Sequence, residues 1–290
     1  MDLVLLKTFL AVAAAGSFSA AAEIMCCVQS NITARVRRLE AHLGQPVFER
    51  GKGGAQLTVF GELLRTHAQD LIDRFEAAER VLLDAAGQSA PLRLGAMETT
   101  TASRLPPILN ALRQSCPTAP ISLRTGPTGE LLSLLWDRKI DAAFVAGPID
   151  ENRFRSTVAF HEQLVLVRPA QSTEAPDDYA GSLLAFRTGC SYRATAEEWL
   201  RSRGKSDTDV IEMGTLDGIL GCVEAGMGFA VVPQRTVAAH NGNSALNAQP
   251  LPKPYSDSTT HLAWRNDHAP TVAHSALCAL IERQLAHQPA

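Results

Sequence analysis

The residues best suited to chemistry fall between positions 29 and 52, where short amides and hydroxyls are followed by cations. Gln29, Ser30, Asn31 and Thr33 lead into Arg35, Arg37 and Arg38, and Arg50 and Lys52 follow in a glycine-rich stretch. Amide side chains can both donate to and accept from adenine edges, while guanidinium groups fork onto guanine or phosphate. Hydroxyls and backbone N–H groups in the first turn of a helix can meet phosphate oxygens. The chemistry is that of nucleic-acid recognition, although a charged helix face is also common on ordinary surfaces. The elements that carry these residues decide between the two.

Leu6, Phe9, Leu10 and Ala13 recur at helical spacing, and Gly16 can end that first helix. Ser17 or Ser19 can cap a short second helix, in which Ala20, Ala21 and Ala22 allow close packing. A tight turn around Met25 to Cys27 precedes a third helix from Gln29 to about Leu43, with Ile32, Val36, Leu39 and Leu43 as its buried stripe. Phe48, Glu49, Arg50, Gly51, Lys52, Gly53 and Gly54 then read as a hairpin tip, returned by Gln56, Leu57, Thr58 and Val59. Arg50 and Lys52 would reach a phosphate backbone or minor groove beside the third helix. Together these elements form a winged helix-turn-helix.

The ordered positions Phe9, Gly16-Ser17-Phe18, Ala21-Ala22-Glu23, Gln29, Leu39-Glu40, Leu43-Gly44, Phe48, Arg50, Leu57-Thr58 and Gly61 resemble the signature of LysR-type transcriptional regulators. The resemblance spans about sixty residues without a gap, which makes it more specific than a short motif. It implies that the third helix enters the DNA groove, with Gln29, Ser30, Thr33 and Arg35 as contacts. The family usually has serine and proline on either side of the matching glutamine, whereas this chain has Val28 and Ser30. The third helix therefore lacks its usual N-cap, a loss that typically costs about 1 kcal/mol.

Leu64, Ala68, Leu71, Phe75, Ala78, Leu82 and Ala85 alternate in steps of four and three, the spacing of a coiled-coil seam. The expectation is a dimerisation helix over residues 59–86, roughly 40 Å long at 1.5 Å per residue. Gly87 to Pro91 reads as a hinge.

Beyond it, short apolar runs at Leu92-Ala96, Ile121-Leu123, Ala142-Val145, Leu164-Val167, Leu183-Phe186, Phe229-Val232 and Leu262-Trp264 read as strands. Helical patterns lie between many of them, which points to a mainly parallel α/β architecture. The family resemblance implies an effector domain over residues 92–290, similar in fold to periplasmic binding proteins. In that scheme subdomain I takes about 92–161 and 266–290 and subdomain II about 162–265, with a small-molecule effector in the cleft between them.

Open α/β sheets bind ligands beyond the carboxyl ends of their strands. Three segments occupy such positions: Glu98 with Thr99, Thr100 and Thr101; Thr188, Gly189 and Cys190 with Arg193; and Gly214 with Thr215. They suit a small polar or anionic ligand, although Glu98 would oppose an anion and threonines often simply cap helices. A thiol near a helix N-terminus beside Arg193 would have a lowered pKa, so Cys190, with Cys222, carries an alternative of redox sensing.

A net charge of −3 conceals a basic start, since residues 1–58 hold six Lys and Arg against four Asp and Glu. The six cysteines show no zinc-ligand spacing, and no catalytic or nucleotide-binding motif is present, so no metal, cofactor or enzymatic activity is expected. No apolar run approaches the roughly 18 residues of a membrane span, and the expected location is the cytoplasm. The partners expected are promoter DNA, a small-molecule effector and a second copy of the chain. The resemblance adds pairing of dimers into tetramers and leaves room for RNA polymerase. An exported solute-binding protein is the alternative from another class.

Overall fold

A computed structural model describes residues 2–49, 54–172, 181–240 and 245–286. Arg50 and Lys52, the cations expected at the wing tip, lie outside the described residues. The chain divides into two compact units, Met1–Leu82 and Leu83–Ala290.

In the first unit, α1 (Leu3–Ala15) is capped by Asp2, whose carboxylate accepts the Leu5 N–H at 2.9 Å. Gly16 ends it in the left-handed region at φ 62, which a side chain would resist. Ser17, rather than Ser19, caps α2 (Phe18–Ile24). Cys26, at φ 49, makes the tight turn into α3 (Gln29–Leu43). Ile32, Val36 and Leu39 point into a core with Phe9, Ala21 and Phe48, while Leu43 is only half-buried. The Phe9 and Phe18 rings lie 5.5 and 5.4 Å from that of Phe48, which fastens the wing to the helices.

Phe48 pairs with Leu57 in an antiparallel bridge, so two legs of a wing are present. Glu40 reaches from α3 to accept the Val47 N–H at 2.9 Å, and the Thr58 hydroxyl donates to the Pro46 carbonyl at 2.9 Å. Thr58 also accepts the Gly61 N–H at the start of α4 (Val59–Ala85). A Cβ on Gly61 would lie 2.1 Å from the Val47 carbonyl oxygen, so only glycine permits this close approach of α4 to the wing.

The expected seam of α4 divides between two roles. Ala68 is fully buried in the first unit's own core beside Ile72, and Leu64 packs against the same cluster. Leu71, Phe75 and Leu82 are 46%, 41% and 68% exposed, and Ala78 is exposed with them. The correction has a simple cause: the start of α4 is also the lid of the winged-helix core, and only the later turns present an unpartnered apolar stripe.

The second unit contains β1 (Leu92–Ala96), α5 (Glu98–Ser103), α6 (Leu105–Ser115), β2 (Ile121–Thr125), α7 (Thr128–Trp136), β3 (Ala142–Ala146) and β4 (Phe154–Pro169). It continues through β5 (Ser182–Ala185), α8 (Ser191–Ser202), β6 (Val210–Glu212), α9 (Leu216–Glu224), β7 (Gly228–Pro233), α10 (Gln234–Ala239), β8 (Leu246–Pro250), β9 (Asp257–Arg265) and α11 (Val272–Ala286). The strand order is β2-β1-β3-β9-β4-β7-β5-β6, with β8 also on β4.

Both flanks are parallel, β1 with β2 and β3, and β5 with β6 and β7. The middle is antiparallel, because β9 runs against β3 and β4, and β4 runs against β7 and β8. The sheet is therefore mixed rather than mainly parallel. Its long strand β4 serves both halves: residues up to Gln163 pair with β9, and Leu164 onward pairs with β7 and β8.

That register moves the expected return point. The chain passes to the second half between Gln163 and Leu164 and returns at Ser256, whose carbonyl accepts the Leu164 N–H at 2.7 Å. All of β9 belongs to the first half, so the return precedes Arg265 by the length of a strand. α11 packs on the first half as well, with Ala273, Leu277 and Ile281 against Leu94, Leu112 and Phe160. Near the crossing, Arg104 pairs with Glu162 at 2.8 Å, both of them little exposed, and its guanidinium lies 5.0 Å from the Phe160 ring centroid. No single helix among the described residues is long and apolar enough to cross a membrane.

Candidate nucleic-acid interface and effector cleft

The 3.6-residue period that buries Ile32, Val36 and Leu39 puts Ser30, Ala34, Arg37 and Ala41 along the opposite ridge of α3, and all four are exposed. Gln29, Ser30 and Asn31 form the exposed first turn beyond Val28, which has extended backbone but gives no side-chain cap bond. A groove runs along one flank of this ridge, between Gln29, Thr33, Arg37 and Glu40 of α3, the start of α2 at Ser17 to Ser19, and Glu49, Gly54 and Ala55 of the wing.

The expected contact residues therefore divide. Gln29, Ser30, Thr33 and Arg37 lie on the ridge or the groove flank, with the Thr33 hydroxyl donating to the Gln29 carbonyl at 3.0 Å. Asn31, Arg35 and Arg38 turn to the other flank by the same period, and Arg35 is half-buried. Arg38 approaches the Asp2 carboxylate at 3.9 Å. Ala34 was overlooked because it carries no polar group, yet its place four residues after Ser30 puts it on the ridge.

In the second unit a cleft of about 210 Å³ opens between the two halves of the sheet. It collects the carboxyl ends of four strands: Met97, Glu98 and Thr99 follow β1; Thr125 ends β2, and Gly126, Pro127 and Thr128 follow it; Phe186, Arg187, Cys190 and Tyr192 follow β5; Met213 and Gly214 follow β6. Each strand ends here in a turn into a helix, which is where an open α/β sheet leaves room for a ligand. The Thr128 hydroxyl donates to the Ala146 carbonyl at 3.2 Å, fixing the second of these turns to β3.

Glu98 bridges the cleft. Both of its carboxylate oxygens accept the Leu216 N–H at the start of α9, at 2.9 and 3.0 Å. Burial pushes the Glu98 carboxyl above its usual range, the Leu216 N–H pulls it back, and the nearby Asp217 charge raises it further. Burial of Tyr192, beside the cleft at the start of α8, pushes its pKa up to about 12.

Of the effector residues expected from sequence, Thr99 and Cys190 line the cleft. Thr100 is buried away from it, and the Thr101 hydroxyl donates to the Met97 carbonyl at 3.0 Å. Thr188 is exposed and Gly189 takes the turn at φ 93, neither of them on the cleft wall. Thr215 caps α9 by accepting the Gly218 N–H at 3.2 Å, so its role is the local structural one. Arg193 turns away from the cleft to pair with Glu197 at 2.7 Å and Glu212 at 2.9 Å. Arg187, not singled out from sequence, is the cation on the wall. The signal for the Thr125 to Thr128 turn was a Gly-Pro pair at a strand end, hidden because the strand continues past Leu123.

The lowered pKa expected for Cys190 is also corrected. Burial raises it, outweighing the N–H groups of Arg193 and Tyr192 that point at its sulfur, and Arg193 spends its charge on two carboxylates. Cys222 is half-buried.

Residues 3–62 match the bacterial regulatory helix-turn-helix protein, lysR family, and residues 85–286 match the LysR substrate binding domain. The chain is 36% identical over 262 residues to the uncharacterized HTH-type transcriptional regulator YusT of Bacillus subtilis (strain 168), covering 90% of this chain and 89% of that protein. It is 32% identical over 279 residues to the HTH-type transcriptional regulator GltR of the same organism, covering 95% and 94%. In fold it is similar to full-length CbnR in complex with its target DNA, with a TM-score of 0.69 at 21% identity over 98% of this chain and 99% of that one. Full-length BenM aligns with a TM-score of 0.57 at 24% identity, covering 99% and 97%. A regulatory helix-turn-helix joined to a substrate-binding domain sets aside the solute-binding alternative: the chain belongs to the LysR family of DNA-binding transcriptional regulators.

Proposed function

We propose that the chain binds promoter DNA sequence-specifically as a homodimer, with the ridge of α3 in the major groove, and that a small molecule in the cleft of the second unit controls it. The observation that carries this is the exposed line of Ser30, Ala34 and Arg37 on a helix braced by the wing, with Gln29 at its leading end. Small groups at the centre of the ridge allow close approach to base edges, and Arg37 supplies a fork for guanine or phosphate. The exposed later turns of α4 supply an apolar stripe for pairing two chains. The mechanism proposed is a shift between arrangements of the assembled dimers, which the effector biases by binding one arrangement more tightly.

The test is binding to the DNA upstream of the chain's own coding region over a series of salt concentrations. Wild type should bind tightly, and Arg37→Ala should weaken binding and flatten the log-log salt slope by about 0.9 for a lost phosphate contact. Arg35→Ala should do less, because Arg35 lies half-buried on the far flank. Equal loss from both variants would reject the ridge as the reading face.

A further inference from the structure

We propose that the effector is a small amphoteric molecule of the amino-carboxylate class, with its ammonium on Glu98 and its carboxylate on Arg187. The proposal rests on the reading of the cleft as the effector site and specifies what that site selects.

One anion-attracting feature beside the cleft, the start of α9, is already occupied from within the chain. Glu98 covers the Leu216 N–H with both oxygens, and Thr215 takes the Gly218 N–H. A ligand carboxylate arriving there meets a carboxylate of like charge. Glu98 itself lacks a cationic partner among the described residues: its carboxylate accepts the Leu216 N–H, and Asp217 adds a second negative charge nearby. Burial and that neighbouring charge already disfavour its ionised form, so a cation delivered by the ligand would satisfy a group the protein leaves uncompensated.

Arg187 is the complementary case. It is exposed on the cleft wall contributed by the other half of the sheet and has no carboxylate partner among the described residues, in contrast to Arg193. A guanidinium so placed suits bidentate recognition of a carboxylate. The cavity of about 210 Å³ is smaller than typical drug-sized pockets, so both charges must be met by one small molecule. Met97, Phe186 and Met213 complete an apolar wall for a short side chain, and the Thr125 turn offers polar groups. A plain carboxylate would leave Glu98 repelled, and a plain amine would leave Arg187 unused.

The experiment is calorimetric titration of the full-length protein at neutral pH with a panel of amino acids, each accompanied by its carboxylate lacking the amine and its amine lacking the carboxylate. The expected result is that at least one amino acid binds about ten- to a hundredfold more tightly than either partner, the loss typical of an unmade charged hydrogen bond. Glu98→Gln should reduce the preference for the amine, and Arg187→Gln the preference for the carboxylate, so that either variant suffices should the other fail to fold. A plain carboxylate binding as tightly as its amino acid, or preferences unchanged in the variants, would overturn the proposal and leave the effector cleft standing. Binding by no member of any class would overturn the proposal too. Effectors of other chemistry that saturate the protein and are displaced by Met213→Trp would then keep the cleft, and none doing so would remove it as well.

Discussion

Glu98 and Leu216, 118 residues apart in sequence, are joined across the cleft by a carboxylate that accepts one backbone N–H at 2.9 and 3.0 Å. The first belongs to the half of the sheet built on β1 and the second to the half built on β5 and β7, so the bond exists only while the halves keep their present relation. A ligand that engages Glu98 therefore acts on a group that holds the halves together. This gives binding a physical route to a shift in subdomain closure, provided the ligand favours one closure over the other.

The missing cap of α3 makes a direct prediction about stability. Val28 has the extended backbone of an N-cap residue, φ −79 and ψ 144, is exposed, and forms no side-chain cap bond. Val28→Ser should supply the acceptor and stabilise the first unit by about 1 kcal/mol, read as a raised urea midpoint. An unchanged midpoint would mean that the first-turn N–H groups already have equivalent partners in water.

Ala34 separates fold from recognition. It is exposed on the ridge of α3, so Ala34→Glu should cost the helix little, at most a few tenths of a kcal/mol by intrinsic propensity. A carboxylate facing phosphates and base edges should nevertheless weaken DNA binding by at least about tenfold. Retained affinity with retained fold would place some other face of the unit on DNA.

The winged helix was the most legible part of the sequence, because α1 to α3 take their stripes from strict helical periodicity and their ends from Gly16, Ser17 and Gly44. Residues such as Glu40 and Gly61 were visible only as motif positions, since their partners Val47 and the wing backbone are fixed by tertiary contact. The first half of β4 was missed for a local reason. Its burial alternates imperfectly, and the pairing with β9 slips between Val158 and Phe160, which breaks the two-residue period a strand would show. β6 and β8 are short and only partly buried, so they carry little apolar signal. The cleft was legible as strand ends but not as side chains. Arg193 and Arg187 are equally cationic in sequence, and only the positions of Glu197 and Glu212 decide which of them faces inward.

The later turns of α4 should decide assembly. Leu71, Phe75 and Leu82 follow the heptad spacing and remain exposed in the single chain, while Lys7 and Glu76, paired at 3.0 Å, hold α1 to the neighbouring face of the helix. Phe75→Glu removes an apolar side chain from each of two seams and should shift the dimer toward monomer by at least about tenfold in dissociation constant, given about 1.5–3 kcal/mol for a large apolar side chain. Sedimentation equilibrium reads this directly. A variant as dimeric as wild type would move the pairing surface away from this stripe.

The acid sensitivity of the second unit should trace in part to His274. Its ring is buried at the start of α11, edge-on to Trp264 with centroids 5.3 Å apart and 4.5 Å from His268. Burial first and the charge of His268 second push its pKa down from 6.5 to about 4, while Asp141 pulls the other way. The folded state thus keeps His274 neutral where the unfolded chain takes a proton. Its contribution is complete above pH 6.5 and is lost as pH falls toward about 4, with a ceiling on the order of 3 kcal/mol at the bottom of that window. His274→Phe should keep the ring packing and remove the titration. The difference in unfolding free energy between about pH 7.5 and about pH 5 should then shrink relative to wild type. Carboxylates such as Asp267, held below the usual range by Arg265 and Arg138, titrate lower and should contribute equally to both proteins. A variant that loses stability with acid as steeply as wild type would assign the sensitivity to other groups.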